Sequence, residues 1–136
     1  MQVQKAKEGC AVLAMAHAGL TEGVRGLLAT AFKSVVMVAD ESALGSCVEK
    51  LHPGLVVLDI GLTPGGGLGL IARLRAGHPA LRLIVLGGDD EPGLRRAALA
   101  AGAERFLLKR ALGSELMPAV DELLAQDGPG NHGPKN

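Results

Sequence analysis

The chain has 136 residues, 48% of them hydrophobic and 21% charged, enough for one domain with its own core and too few for two. Lysine plus arginine and aspartate plus glutamate number 14 each, so the formal net charge is zero and no basic stripe is available to grip nucleic acid. No apolar run approaches the roughly 20 residues that span a bilayer, and with no Trp or Tyr and only Phe32 and Phe106 there are almost no platforms on which bases could stack.

The amino terminus "MQVQKAKEGC" carries lysines, but the run behind it is short and polar-interrupted, which reads as a strand and not a signal peptide. That first strand is "CAVLAMA" (10–16). "LTEGVRGLLATAF" (20–32) places Leu20, Val24, Leu27, Leu28 and Ala31 on one helical face. "SVVMVA" (34–39) reads as a second strand. "SALGSCVEKL" (42–51) reads as a helix with Ser42 as N-cap and Ala43, Cys47 and Leu51 on its inner side. Pro53-Gly54 breaks the chain before a third strand, "LVVLDI" (55–60). A third helix, "GLGLIARLRAG" (67–77), leads through His78-Pro79 to a fourth strand, "LRLIVLG" (81–87). "EPGLRRAALAAG" (91–102) has Pro92 near its start and Gly102 at its end, the usual helix asymmetry. "ERFLLK" (104–109) is the fifth strand. "SELMPAVDELLA" (114–125) closes as a helix capped by Ser114, with Pro118 near enough to the first turn to be tolerated. Residues 10–125 read as the domain and "QDGPGNHGPKN" (126–136) as a flexible tail or linker stump. No DNA-binding pattern is read after Leu124, so the expectation is either a lone module or one whose tail leads to an output domain. Cys10 and Cys47 form no CxxC pair and no set with histidines, which suits core positions in a reduced, cytoplasmic chain.

Strand and helix alternate five times, and the third and fourth strands are nearly unbroken apolar runs, as in strands covered on both faces. The expectation is an α/β fold: a doubly wound five-stranded parallel sheet, flavodoxin-like, in the order 2-1-3-4-5, with right-handed crossovers and helices on both faces. Ligands of such sheets bind at the carboxyl ends of the strands. That rim gathers Ala16-His17, Asp40-Glu41, Asp59, Gly87-Gly88-Asp89-Asp90 and Lys109. The glycine-rich turn "LDIGLTPGGGLG" (58–69) lacks the Gly-Lys-Ser/Thr of a Walker A loop and the G-x-G-x-x-G spacing of a dinucleotide loop. Asp59 and Lys109, at the ends of the third and fifth strands, face one crevice. Such a pair reads either as a nucleophile with its charge partner or as a structural salt bridge. Asp40, Asp89 and Asp90 read as solvated loop charges and N-caps, His17 as a polar rim residue, and His52 and His78 lie at the opposite rim.

From Ala11 to Leu124 the chain resembles the receiver domain of two-component response regulators. "GLVVLDIGLTPGGGLGLIARLR" is similar to the segment around the phosphoacceptor, and "AGAERFLLK" matches the family's Ala-Gly-Ala…Tyr/Phe-Leu-x-Lys run. The resemblance implies Asp59 as phosphoacceptor, the Gly61 carbonyl as a metal ligand, Lys109 as the phosphoryl-binding lysine and Phe106 as the switch aromatic. Three departures stand against it. The acidic pair expected after the first strand falls on Met15-Ala16 or, with a one-residue shift, on Ala16-His17, and neither holds a carboxylate. Gly87 stands where a Thr or Ser hydroxyl is expected, and the loop "GLTPGGG" is one residue longer than usual.

With those carboxylates missing, Asp59 and Gly61 hold Mg²⁺ weakly if at all, because that ion demands near-octahedral oxygen ligands. The chain therefore reads as an atypical receiver that is not an enzyme, needs no cofactor and works by protein–protein interaction. Its expected partner is a histidine kinase or another signalling protein, with no nucleic acid and no membrane. A homodimer through the fourth helix, fifth strand and fifth helix would use Arg95, Arg96, Arg105, Arg110, Glu104 and Glu115. Two alternatives remain open at this point: a working receiver phosphorylated on Asp59 by a histidine kinase, and a nucleotide- or small-molecule-binding enzyme on the same fold.

Overall fold

A computed structural model describes residues 8–16, 18–62, 67–88 and 92–126. Five strands, β1 (Glu8–Ala14), β2 (Phe32–Val38), β3 (Leu55–Asp59), β4 (Arg82–Gly87) and β5 (Arg105–Leu108), alternate with α1 (Ala18–Leu28), α2 (Glu41–Leu51), α3 (Leu68–Gly77), α4 (Pro92–Ala101) and α5 (Leu112–Ala125). The strands form one parallel sheet in the order β2-β1-β3-β4-β5. The doubly wound order expected from the sequence is the one observed.

Side-chain alternation sorts the core into two layers. Leu55 and Val57 of β3 join Ile84, Leu86 and Leu107 under α1 and α5, which contribute Val24, Leu28, Leu116 and Val120. Val56 and Leu58 join Leu83, Val85 and Phe106 beneath α2, α3 and α4, which contribute Leu44, Val48, Ile71, Leu74 and Ala98. Every residue of β3 is buried, which is why that strand has no polar alternation in the sequence.

Several local expectations are corrected. Asp40, not Ser42, caps α2: its extended backbone precedes the helix and its carboxylate accepts the Ala43 N–H at 2.7 Å. A carboxylate at that place satisfies an orphan donor and complements the helix dipole. We expect Asp40→Ala to cost about 1 kcal/mol, read as a lower urea midpoint with an unchanged slope. Helix α2 is also turned by one position from the expected face. Leu44 and Val48 point inward, Ala43 and Cys47 are half-buried, and Leu51 is exposed. Cys10 is likewise half-buried, so neither cysteine belongs to the fully buried core. Helix α5 begins at Leu112, before Ser114, and its N-cap Ala111 makes no side-chain cap. The Ser114 hydroxyl donates back to the Ala111 carbonyl at 3.3 Å instead. Pro118 thus lies inside the helix on its exposed side, where water can serve the carbonyl left without a donor. Strand β2 starts at Phe32 because Ala29–Ala31 turn out of α1 and do not continue it.

The amino-end rim is tied by arginines. Arg75 of α3 donates to the Gly102 carbonyl from Nε at 3.1 Å and from Nη2 at 2.9 Å, and pairs with Glu104 at 2.8 Å. Glu104 in turn accepts the Leu83 N–H at 2.7 Å. Gly102 has φ +130, and a Cβ there would meet the Arg75 side chain at 2.9 Å, so only glycine fits under the clamp. His52 and His78 are at this rim, their rings edge to face at 6.4 Å.

Candidate functional site

Asp59 ends β3 and is 4% exposed. A buried carboxylate is tolerable only when its oxygens are bonded and its charge is matched. Both conditions hold. Oδ1 accepts the Gly61 N–H at 2.9 Å, and Oδ2 lies 2.9 Å from the Lys109 ammonium. Gly61 reaches the carboxylate because a 3₁₀ turn, Ile60–Leu62, bends the chain back immediately after β3. Lys109 comes from a second 3₁₀ turn, Lys109–Ala111, just past β5. Strand β5 ends at Leu108, one residue before the end expected from the sequence. Strand β4 separates β3 from β5, so the ion pair closes over the end of β4. Among the described residues no buried side-chain nitrogen or oxygen lacks a partner.

The residues directly after β1 are Met15 and Ala16. Ala14 is in register with Leu58, so one further step brings Met15 level with Asp59. Met15 is 3% exposed and its side chain belongs to the layer under α1 and α5, while Ala16 is exposed. His17, Asp89 and Asp90 lie outside the described residues, as do Thr63–Gly66 of the glycine-rich turn and the tail from residue 127. Asp40 is occupied as the α2 cap.

A hard divalent ion such as Mg²⁺ takes oxygen ligands, and a thioether or a methyl group offers none. Of the residues directly after β1, Met15 and Ala16 present those two groups. No cluster of three or more His, Cys, Asp or Glu among the described residues could hold a metal ion. The described side chains here thus offer a hard ion one carboxylate, poised on a backbone N–H and charge-neutralised by one lysine.

On the other face of β4 and β5, Gly87 and Phe106 are in contact. Both are buried, and a Cβ at Gly87 would lie 3.2 Å from Cε1 and from Cε2 of the ring. Arg95 of α4, which the sequence placed only among surface charges, lies over that ring, its guanidinium carbon 5.0 Å from the centroid. Its Nη1 also donates to the Phe106 carbonyl at 2.9 Å. No spacing rule links residues 95 and 106; the contact exists because α4 packs across β5. Glu104 is engaged by Arg75, and Arg105 by Glu122 at 3.0 Å, so of the six charges expected for inter-subunit pairing only Arg96, Arg110 and Glu115 are exposed without a described ion pair.

Two described cavities lie away from Asp59. One, of about 240 Å³, is lined by Val48, His52, Pro53, His78, Pro79, Ala80 and Leu81 at the opposite rim. The other runs between α2 and α3 past Glu41, Glu49 and Arg73. No helix among the described residues is long and apolar enough to cross a membrane.

Residues 11–121 match the family model described as the response regulator receiver domain. The transcriptional activator protein ExaE of Pseudomonas putida is 40% identical over 113 residues, which cover 83% of this chain and 50% of that protein. The transcriptional regulatory protein PrrA of Mycobacterium tuberculosis is 33% identical, over 76% of this chain and 44% of its own length. The chain thus spans about half the length of these relatives. Among solved structures, the signal receiver domain of the response regulator NarL from M. tuberculosis superposes with a TM-score of 0.74 at 24% identity, covering 90% of this chain and 100% of that one. RcsB of Salmonella enterica serovar Typhimurium, bound to the promoter rprA in the presence of phosphomimetic BeF3-, gives 0.74 at 26% identity, covering 89% of this chain and 70% of the other.

Proposed function

The chain belongs to the response regulator receiver domain family, and from that premise we propose that it is an atypical receiver, one that relays a signal by protein–protein contact while Mg²⁺-dependent phosphorylation of Asp59 is impaired. One observation carries the reading. The two residues that follow β1, one register step past the Ala14–Leu58 pair, are Met15 and Ala16, a buried thioether and a methyl group where the family places carboxylates. An incoming phosphoryl group brings negative charge to an already buried carboxylate. Lys109 supplies one compensating charge at 2.9 Å. A divalent ion would supply two more and orient the donor, and the described ligands for it are missing.

Asp59 is the phosphoacceptor position in this reading, Lys109 its charge partner, Gly61 the residue that orients Oδ1, and Gly87 and Phe106 stand at the positions the family uses for its switch. The partner is a histidine kinase or another signalling protein. The relatives of this chain are named as a transcriptional activator and a transcriptional regulatory protein, and by that likeness the output it serves is transcription. Incubation with acetyl phosphate and Mg²⁺, followed by intact-mass measurement, should leave the chain unmodified. A phosphoryl adduct that disappears in Asp59→Asn would overturn the reading in favour of a working phospho-receiver, the second reading that the intact Asp59–Lys109 pair favours.

A further inference from the structure

Gly87 does not have positive φ, so its backbone would accept any residue. What excludes a side chain there is the Phe106 ring, whose tip fills the space a Cβ would need. The ring is 3% exposed, with Gly87 at its tip and the Arg95 guanidinium over its face. Arg95 also anchors to the carbonyl of the same residue, which fixes α4 against β5 through one side chain. Asp59 follows Leu55 and Val57 in strand alternation and so continues the layer under α1 and α5. Phe106 belongs to the opposite layer. No hydrogen bond described for Asp59 or Lys109 reaches Gly87, Phe106 or Arg95.

We propose that Gly87, Phe106 and Arg95 form a packing lock that holds the α4–β5 face in one arrangement whatever the charge on Asp59. A chemical event shifts a conformational equilibrium only as far as it interacts differently with the two states. Glycine offers no side-chain donor that could follow a charge at Asp59, and the ring leaving its slot would open a hole that glycine cannot fill. The lock goes beyond the proposed impairment of phosphorylation and holds whether or not Asp59 accepts a phosphoryl group.

The chain contains two phenylalanines and no other phenyl or indole ring, so ring-¹³C-labelled phenylalanine yields NMR signals from Phe32 and Phe106 alone, assigned with Phe106→Leu. In the native chain the Phe106 signals should be insensitive to a soluble paramagnetic agent, and should stay in place in Asp59→Asn and after acetyl phosphate with Mg²⁺. In Gly87→Ala and Gly87→Ser alike they should shift and become several-fold more sensitive to the agent. Ring signals that stay put in both glycine variants overturn the lock. So does a shift in the serine variant alone, which would make the hydroxyl and not the added volume the cause. So does a shift in Asp59→Asn. Should Gly87→Ala fail to fold, Gly87→Ala with Phe106→Leu should fold again, because the shorter side chain vacates the slot; a double variant that stays unfolded also overturns the lock. A phosphoryl adduct would sink the proposed impairment, yet the lock stands if that adduct leaves the Phe106 signals where they were.

Discussion

Phe106→Ala is expected to lower the unfolding free energy by about 4–5 kcal/mol, the upper end of the range for truncating a buried aromatic ring. The size of the loss depends on how far the surroundings can collapse. Here one wall of the cavity is Gly87, which has no side chain to lean in, and the backbone on both sides is held in the parallel ladder of β4 and β5. Arg95 would keep its bond to the carbonyl at position 106 but lose the ring beneath its guanidinium. Domains of this size are stable by about 5–15 kcal/mol, so the loss would take from about a third to nearly all of the total. Urea titration followed by far-ultraviolet circular dichroism measures it, since the chain has no tryptophan to report by fluorescence. A loss under about 2 kcal/mol, below the usual cost of such truncations, would mean that the slot closes on its own.

Lys109→Met should cost about 3 kcal/mol, because it strands the carboxylate of Asp59 in a site that water barely reaches. Lys109 itself keeps about a quarter of its side chain exposed, 27%, which places the effect at the low end for breaking a buried pair. Asp59→Asn combined with Lys109→Met should recover most of that loss, since the uncompensated charge is then gone while the Gly61 N–H keeps an oxygen to bond. The two single variants and the double variant form a cycle that isolates the pair. A Lys109→Met loss of about 0–1 kcal/mol would place the pair with exposed surface bridges.

The fold was legible in the order of its elements. Alternating runs and the nearly unbroken apolar third and fourth strands carried the doubly wound sheet, because strands covered on both faces cannot afford alternation. The Asp59–Lys109 meeting was legible too, once the strand ends were laid along one rim. Finer local choices were not. Ser42 and Asp40 are both good caps, and what chose between them was which residue entered the helix in extended geometry. The face of α2 was misjudged by one position because Ala43, Leu44, Cys47 and Val48 offer two adjacent apolar stripes, and only docking on the sheet selects Leu44 and Val48.

By itself the chain's pattern of residues settled the architecture and the charge pair at its rim, since these follow from period, order and chemical type; that Met15 and Ala16 stand where carboxylates are expected came only from the likeness to the receiver family. Only the tertiary structure decided that the side chain of Met15 turns into the core layer under α1 and α5. It also decided that the absent side chain of Gly87 is replaced by the ring of Phe106 with Arg95 above it. Those facts depend on which side chains fill which space across the sheet, and close packing is a property of the assembled layers that no stretch of sequence carries alone.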